Sequence, residues 1–391
     1  MTQNEYSIWK QQDRHSRAYA TLTTAESARI ARNLGIADPT GADICLDCHA
    51  DNVAPAVRGP SFDIAEGVGC EACHGGSADW AGPHADGFSW HKSNTALGLY
   101  PTADPVALAA LCISCHVGSE GSFPSHRLYG AGHPRLAFEL DTFLVRQPMH
   151  AQVDVDYLLR KPPANGAKYW AIGQIATAHR LAVLMSEAPR LSDGAFPELA
   201  FYDCAACHHR MTDWPAMAVR TSPNPKPRLN AASFVMATAI AASLVPDLAM
   251  DVQRGSMALR AAAFSDMADL NEAAMQLVNP LNMLLSRTAE FDFDGSERNA
   301  VLRALLETGA NGSYRDFSDA EQVVMALAAL IAASRGDSVR PMSAEGVTAR
   351  YMEMFYSAAA DAGRFDPITF RAVFEKVTEV CGDACRTGGR S

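Results

Sequence analysis

Cys45-Leu-Asp-Cys48-His49 is the first of four stretches of the sequence that share one pattern. The other three are Cys70-Glu-Ala-Cys73-His74, Cys112-Ile-Ser-Cys115-His116 and Cys204-Ala-Ala-Cys207-His208. Each is C-x-x-C-H, the signature of covalent attachment of a c-type haem. With 10 cysteines and 12 histidines among 391 residues, chance would produce roughly 0.01 copies of this pattern. The four copies therefore predict four covalently attached c-type haems.

The chemistry of attachment explains this spacing. Two thiols three positions apart reach the two vinyl groups on one edge of the porphyrin and form thioethers, and the next residue presents a neutral imidazole to the iron. The predicted proximal ligands are thus His49, His74, His116 and His208. Zinc sites need two cysteine pairs per metal and no histidine directly after each pair. Disulfides have no use for that histidine either, so both alternatives are disfavoured.

The two remaining cysteines, Cys381 and Cys385, are separated by three residues, and Arg386 stands where a haem motif has its histidine. This pair is therefore not a haem site. In an oxidising compartment it favours a short disulfide. A soft-metal site and a redox-active pair are the alternatives.

Composition narrows the class of protein. The formal net charge is −11, and 48% of the residues are hydrophobic against 20% charged. This excludes a disordered chain and argues against nucleic acid as a partner, because phosphates would be repelled by an acidic surface. The longest uncharged run, residues 229–246, is rich in alanine and serine and ends at Pro246, which predicts a buried helix rather than a transmembrane span.

The sequence predicts a mainly α fold in two domains. Residues 1–220 contain all four motifs and form the predicted haem domain. The proline-rich stretch 221–228 is typical of an extended linker. Residues 229–391 show Ala, Leu and Met at helical spacing, with neither Cys nor His before residue 381, which predicts an all-α domain of five or six helices.

Some helix boundaries are predicted locally. Thr23-Thr-Ala-Glu26 is a capping box that opens a helix ending at Gly35, and Ser318-Asp-Ala-Glu321 is a second one. A longer helix is expected over 167–188. Pro280 and Gly309 are expected to interrupt or end other helices.

The haem domain is expected to have a core made largely of porphyrin, so its folding should depend on haem. Only 20 residues separate His49 from Cys70, and 37 separate His74 from Cys112. This spacing predicts neighbouring haems close enough to form a chain for electrons.

The second axial position of each iron is predicted from the remaining histidines. An electron-transfer haem takes a second strong ligand, whereas a catalytic haem keeps an open site. His179 lies on an apolar helix face, and His133 and His84 lie in Gly- and Pro-rich settings that allow close approach. His209 directly follows a proximal ligand and is predicted to contact solvent or a propionate. Weaker candidates are His91, His126 and His150.

The stretch from Ile8 to His116 resembles the cytochrome c-554 family of multihaem cytochromes. The matching elements are Trp9-Lys10 with His15-Ser-Arg-Ala-Tyr-Ala-Thr-Leu22, the first and third motifs, and Gly67-Val-Gly-Cys70-Glu-Ala-Cys73-His74-Gly75 followed by His84. The resemblance does not extend to residues 229–391. It implies a mostly helical periplasmic electron carrier with bis-histidine haems stacked in pairs and one five-coordinate haem.

The resemblance also implies ligand assignments. It makes His15 the distal ligand of the haem on His74, and His179 that of the haem on His116. The haem on His49 would be five-coordinate, so its open iron is the one candidate catalytic centre.

His84 matches a ligand of a further haem, whose motif would precede Tyr6. That motif is absent from the sequence. Either it lies upstream of Met1, or His84 serves the haem on His208.

The favoured function is a periplasmic multihaem c-type cytochrome that transfers electrons along four haems between redox partner proteins. The alternative is a haem enzyme that reduces or oxidises a small nitrogen or sulfur species at a five-coordinate haem. A polymeric haem filament is a third hypothesis. A non-catalytic carrier is preferred over an enzyme.

The predicted partners are a cytochrome, a quinol oxidoreductase or a dehydrogenase, and the acidic surface would steer a basic partner. Residues 229–391 are expected to dock a partner or to form a dimer. No secretory signal is visible at the N-terminus. Because haem is attached to such motifs outside the bacterial cytoplasmic membrane, the periplasm is expected, with the signal processed or the start codon misplaced.

Overall fold

The computed structural model describes residues 4–85, 91–147, 149–150, 155, 165–187, 192–193, 196–208, 228–263, 265, 267–334 and 345–386. The regular secondary structure within these residues is helical apart from one short hairpin, which confirms the predicted mainly α fold. The chain divides into two compact units. The first comprises residues 1–138 and 143–164, and the second comprises residues 139–142 and 165–391.

The first unit is built from short helices. They are α1 Glu5–Gln12, α2 Ala18–Leu22, α3 Ala25–Leu34, α4 Asp43–His49, α5 Cys70–His74, α6 Ala81–Ala85, α7 His91–Ala96, α8 Pro105–His116 and α9 His126–Ala131. Single 3-10 turns cover His15–Arg17, Pro39–Gly41, Pro55–Val57 and Ile64–Glu66. The next helix, α10 Leu140–Arg146, starts in the second unit and ends in the first.

The second unit has longer helices. They are α11 Gly166–Ser186, α12 Ala232–Leu244, α13 Pro246–Ala262, α14 Met267–Ala289, α15 Gly295–Ala310, α16 Phe317–Ala333, α17 Glu345–Ala358 and α18 Pro367–Arg386. The hairpin pairs Ser192–Asp193 with Phe196–Pro197, and 3-10 turns cover Leu199–Phe201, Cys204–Ala206 and Ala362–Arg364. Seven helices thus lie in the described part of 229–391, against five or six predicted.

The division between the units falls near residue 165. The composition of the sequence predicts the domain boundary at 221–228 instead. The cause is helix α11, whose residues Trp170, Ala171, Ile172 and Ile175 are fully buried. This helix packs against α14, α12 and α16 of the second unit. Residues 221–227 of the predicted linker lie outside the described part of the chain.

Three helix boundaries differ from their predictions for local reasons. Helix α3 is capped by Thr24 rather than Thr23, because the Thr24 hydroxyl accepts the Ser27 N–H, although Gly35 ends the helix as predicted. Helix α16 is capped by Asp316 rather than Ser318, since the Asp316 carboxylate accepts an N–H bond in its first turn. Pro280 lies inside α14 and does not end it.

The uncharged run 229–246 is divided by Pro246 between α12 and α13. Among the residues that the structure describes, no helix combines the length and the apolar character needed to cross a membrane.

Gly309 was expected to interrupt or end a helix, and it is the penultimate residue of α15, in the part of the helix that packs against α18. The ring of Phe374 covers it, and a Cβ at residue 309 would clash with Cδ1 of that ring. Phe374 is fully buried and contacts Phe355, Phe370 and Tyr314, with ring centroids 4.6 to 5.3 Å away. Gly309 is therefore a packing residue, because only a hydrogen fits beneath this aromatic cluster.

We expect Gly309→Ala to lower the free energy of unfolding of the second unit by about 1–3 kcal/mol, since the added methyl overpacks a filled core. The thermal midpoint from circular dichroism measures this. Gly363→Ala is the matched control, because the nearest atom to its added Cβ would lie 3.4 Å away. An unchanged midpoint in Gly309→Ala would mean that Phe374 can move aside.

Three buried aspartates form an acidic cluster in the second unit. Asp203, Asp316 and Asp319 are 4%, 3% and 0% exposed. Arg228 Nη2 lies 3.5 Å from Asp203 Oδ2, and Asp316 Oδ1 accepts the Asp319 N–H at 2.9 Å. Burial, followed by the charges of Asp319 and Asp203, raises the pKa of Asp316 well above its ordinary value.

Because the folded state holds the Asp316 proton more tightly than the unfolded chain, this residue costs stability as the pH rises above about 4. We expect Asp316→Asn, which keeps a good helix cap, to raise the free energy of unfolding at pH 8 by about 1–3 kcal/mol. The gain should shrink towards pH 4. Thermal midpoints between pH 4 and pH 8 test this, and a loss of stability at pH 8 would contradict it.

Candidate haem-binding site

Each predicted attachment motif lies on a helical turn. Helices α4, α5 and α8 end at the motif histidines His49, His74 and His116. The fourth motif starts with the turn Cys204–Ala206, whose N-cap Asp203 accepts a backbone N–H. Residues i, i+3 and i+4 share one face of a helix, so each of the first three motifs presents two thiols and an imidazole on one side. None of the eight motif cysteines takes part in a disulfide, so all eight are available to form thioethers.

Thiols from three motifs lie close together in the first unit. Cys48 and Cys115 form a hydrogen bond, which raises the pKa of Cys48 and lowers the pKa of Cys115 to about 6. Burial, followed by the neighbouring Cys112, raises the pKa of Cys73 to about 12. The first three motifs therefore converge within one compact unit.

His49 and His133 face each other, with ring centroids 6.4 Å apart and planes at 82°. Nδ1 of His49 lies 3.1 Å from the carbonyl oxygen of Ala18 and 3.0 Å from the Thr21 hydroxyl. Nδ1 of His133 lies 2.8 Å from the carbonyl oxygen of Pro134. Both rings are thus oriented through Nδ1. The hydrogen bonds described for these two rings leave the Nε2 atoms for a metal.

His133 is positioned by the packing of α9 on α3. The side-chain amide of Asn33 on α3 donates to the Ala131 carbonyl at 2.9 Å. Gly132 then ends α9 with a φ of 115°, a left-handed conformation that glycine adopts most easily. The chain turns there and brings His133 to His49.

His15 and His116 form a second facing pair, with ring centroids 6.0 Å apart and planes at 81°. Nδ1 of His15 lies 3.0 Å from Asp13 Oδ1. His116 stacks on Phe138 at 5.2 Å and meets the edge of Phe143 at 5.1 Å. Burial, followed by the nearby His15, lowers the pKa of His116 to about 4, so its imidazole is neutral at pH 7 and keeps the lone pair that a metal needs.

The spacing of both pairs fits an iron between the rings. Two imidazoles on opposite sides of one metal ion, with metal–nitrogen bonds of about 2 Å, have ring centres roughly 6 Å apart. A ligand histidine is normally held through its other ring nitrogen, as His15, His49 and His133 are. The residues therefore fit a haem held by His49 with His133 and another held by His116 with His15. Haem, when bound, supplies reversible one-electron chemistry at its iron.

These pairs differ from those that the family resemblance implies, in which His15 serves the haem on His74 and the haem on His49 has an open site. The cause is the course of residues 15–21. Helix α2 runs against α4 and places Ala18 and Thr21 beside His49. The backbone of His15 still contacts the segment before the second motif, because its carbonyl accepts the Val68 N–H at 3.1 Å.

This contact explains the glycine before the second motif. Gly67 has a φ of 79°, and a Cβ there would lie 2.6 Å from the His15 carbonyl oxygen. A side chain at this position would therefore be strained and would also push the second motif away from residues 15–19.

The other first-unit candidates differ in their surroundings. Nδ1 of His84 lies 3.3 Å from the amide of Asn94, and its ring lies 5.9 Å from Trp80. His150 uses Nε2 to contact Asp13 Oδ2 at 2.7 Å, so that nitrogen is engaged. His126 is the first residue of α9. The side chain of His91 lies outside the described part of the structure.

Two predicted ligands belong to the second unit. His179 lies on α11 and is half-buried rather than set within an apolar layer; burial, followed by Arg180, lowers its pKa. His208 is exposed. His209 lies outside the described residues, as do the side chains of Cys381 and Cys385, although the backbone of both cysteines is helical.

The residues that orient the rings of His15, His49 and His116 were not predicted from the sequence. Asp13 and Thr21 hold His15 and His49, and Phe138 and Phe143 pack on His116. The Asp-x-His spacing was a usable signal for Asp13, because an aspartate two residues before a histidine can reach its ring. The aromatic contacts had no signal, since they come from residues far along the chain.

Four cysteine pairs, each followed by a histidine, and imidazole pairs at metal-ligand spacing beside two of them are the features expected of a c-type cytochrome. The family model described as cytochrome c554 and c-prime matches residues 2–75. This confirms the predicted resemblance to the cytochrome c-554 family over that part of the chain, and it supports a c-type cytochrome with covalently bound haem that acts in electron transfer. The matched residues include the first two motifs. No curated protein and no solved structure matches the chain.

Proposed function

We propose that the protein carries four covalently attached haems and transfers electrons along them between redox partner proteins in the periplasm. The observation that carries this proposal is the pair of facing imidazoles on His49 and on His116. An iron bound on both sides by histidine exchanges electrons but has no open position for a substrate. The convergence of three motifs in one unit supports short steps between haems.

The alternative, catalysis on a small nitrogen or sulfur species at an open iron on His49, is less well supported. It requires an empty position opposite His49, whereas the ring centroid of His133 lies 6.4 Å from that of His49, a distance that supports a second ligand there. The geometry therefore favours a carrier over an enzyme.

Redox partners are expected to approach through complementary charge. The net charge of −11 favours a basic partner cytochrome, quinol oxidoreductase or dehydrogenase. We further propose that residues 229–391 dock such a partner or form a dimer. The periplasmic location is supported by the motifs, because their haems are attached outside the bacterial cytoplasmic membrane.

Electron paramagnetic resonance of the oxidised holoprotein tests the ligation of the haem on His49. We expect His133→Ala to convert one of the four irons from low spin to high spin, because the removed imidazole leaves one side of the iron open. The new site should bind added imidazole, which restores the low-spin signal. Tyr129→Phe is the control, since it keeps the ring beside His133 and supplies no metal ligand.

An unchanged spin state in His133→Ala would contradict this ligation. A high-spin iron already present in the unaltered protein, with turnover of nitrite or nitric oxide, would favour the enzyme alternative.

The number of haems is tested by mass spectrometry of the intact protein. Replacing Cys204 and Cys207 together by alanine should reduce the covalently bound haems from four to three, because thioethers at that motif can no longer form. Replacing Cys381 and Cys385 by serine should leave four haems. An unchanged haem count after the first replacement would show that the fourth motif is not an attachment site.

A further inference from the structure

Asp13 is a buried carboxylate whose described contacts go to imidazole and amide groups. It is 1% exposed and follows the end of α1. Its Oδ1 accepts the backbone N–H of His15 at 2.9 Å and lies 3.0 Å from Nδ1 of the same residue. Its Oδ2 lies 2.7 Å from Nε2 of His150 and also accepts the side-chain amide of Gln147. Both carboxylate oxygens are thus engaged.

The backbone around Asp13 is held as firmly as its side chain. The Asp13 N–H donates to the Trp9 carbonyl at 3.1 Å, and the Asp13 carbonyl accepts the Ser16 hydroxyl at 2.8 Å. Trp9 is itself buried, and its indole donates to the Val68 carbonyl at 3.2 Å. The carboxylate therefore has little freedom to turn away from His15.

The two facing pairs differ in what holds their Nδ1 atoms. Neutral oxygens hold His49 and His133, through Ala18, Thr21 and Pro134. A carboxylate holds His15. A carboxylate that accepts the N–H of a ligand histidine makes the ligand nitrogen more basic, and a more basic ligand stabilises the oxidised iron.

We propose that Asp13 is a positioning residue, which turns Nε2 of His15 towards the iron bound by His116 and makes this haem more reducing than the haem between His49 and His133. The inference rests on the proposed function, because it requires His15 to be an iron ligand. His150 then acts as a clamp on Asp13, since the nitrogen through which it contacts Asp13 is not available to a metal.

The test is a redox titration of the holoprotein followed by absorbance, with electron paramagnetic resonance of the oxidised form. Asp13→Asn keeps the shape and an acceptor oxygen for Nδ1 but removes the charge. We expect all irons to keep their spin state while one haem becomes easier to reduce, by about tenfold in its equilibrium constant, or ~59 mV for a one-electron couple. Asp63→Asn is the control, because it removes an exposed carboxylate that only caps the turn Ile64–Glu66.

Two further variants keep the proposal testable if Asp13→Asn folds poorly. Asp13→Ala removes the acceptor of the His15 hydrogen bond, so we expect a fraction of one iron to become high spin. Asp13→Asn keeps an acceptor oxygen, so its irons should stay low spin. His150→Ala should leave every spin state unchanged and lower the potential of the same haem, because the carboxylate loses one of the donors that share its charge and keeps its contacts to His15 and Gln147. A new high-spin iron in His150→Ala would overturn the proposed clamp.

His15→Ala distinguishes a failure of the proposed ligation by His15 from a failure of the proposed role of Asp13. If it leaves the spin states unchanged, His15 is not a ligand and the proposed ligation fails. If it produces one high-spin iron while Asp13→Asn shifts no potential relative to Asp63→Asn, the ligation stands and the role of Asp13 is wrong.

Discussion

A histidine that binds a metal through one ring nitrogen is oriented by a hydrogen bond to its other nitrogen, and the first unit supplies such hydrogen bonds to several of its histidines. Residues 13–21 supply the groups that hold His15 and His49, through Asp13, Ala18 and Thr21. One short segment thus orients rings that belong to two different facing pairs. The helical turns of the motifs place the thiols, and hydrogen bonds to Nδ1 orient the rings of His15, His49 and His133.

The two units are stabilised by different means. The second unit buries large side chains on most of its helices, among them Trp170, Phe234, Phe370 and Phe374. In the first unit the described core is small, and its hydrophobic cluster is centred on Leu22, Leu46 and Ala50. Haem attached to the converging motifs would supply the apolar surface that these side chains do not, because a macrocycle buries far more area than an aliphatic residue. The expectation that the first unit depends on haem therefore agrees with its packing.

The sequence was most informative where chemistry depends on local spacing. The motifs, the mainly α fold and the end of α3 at Gly35 follow from patterns within a few residues, and the structure agrees on the last two. The pairing of the rings could not be predicted in the same way, because His15 and His116 are a hundred positions apart in the chain and meet through tertiary packing. The capping residue of α16 could not be predicted from the sequence either. Asp316 and Ser318 are both good caps, and only the packed structure selects one.

Helix α11 accounts for the difference between the predicted linker at 221–228 and the division of the chain near residue 165. From the sequence alone, helix α11 is predicted to belong to the haem domain, because the helix carries His179 and lies before the fourth motif. Its buried face, with Trp170, Ile172 and Ile175, belongs to the core of the second unit instead. A cofactor ligand needs only one side of a helix, whereas a domain is defined by the side that packs. Because His179 is half-buried beside that packed face, α11 can contribute to the core and still expose part of an imidazole. The positions of haem motifs along a chain therefore do not by themselves give the bounds of its domains.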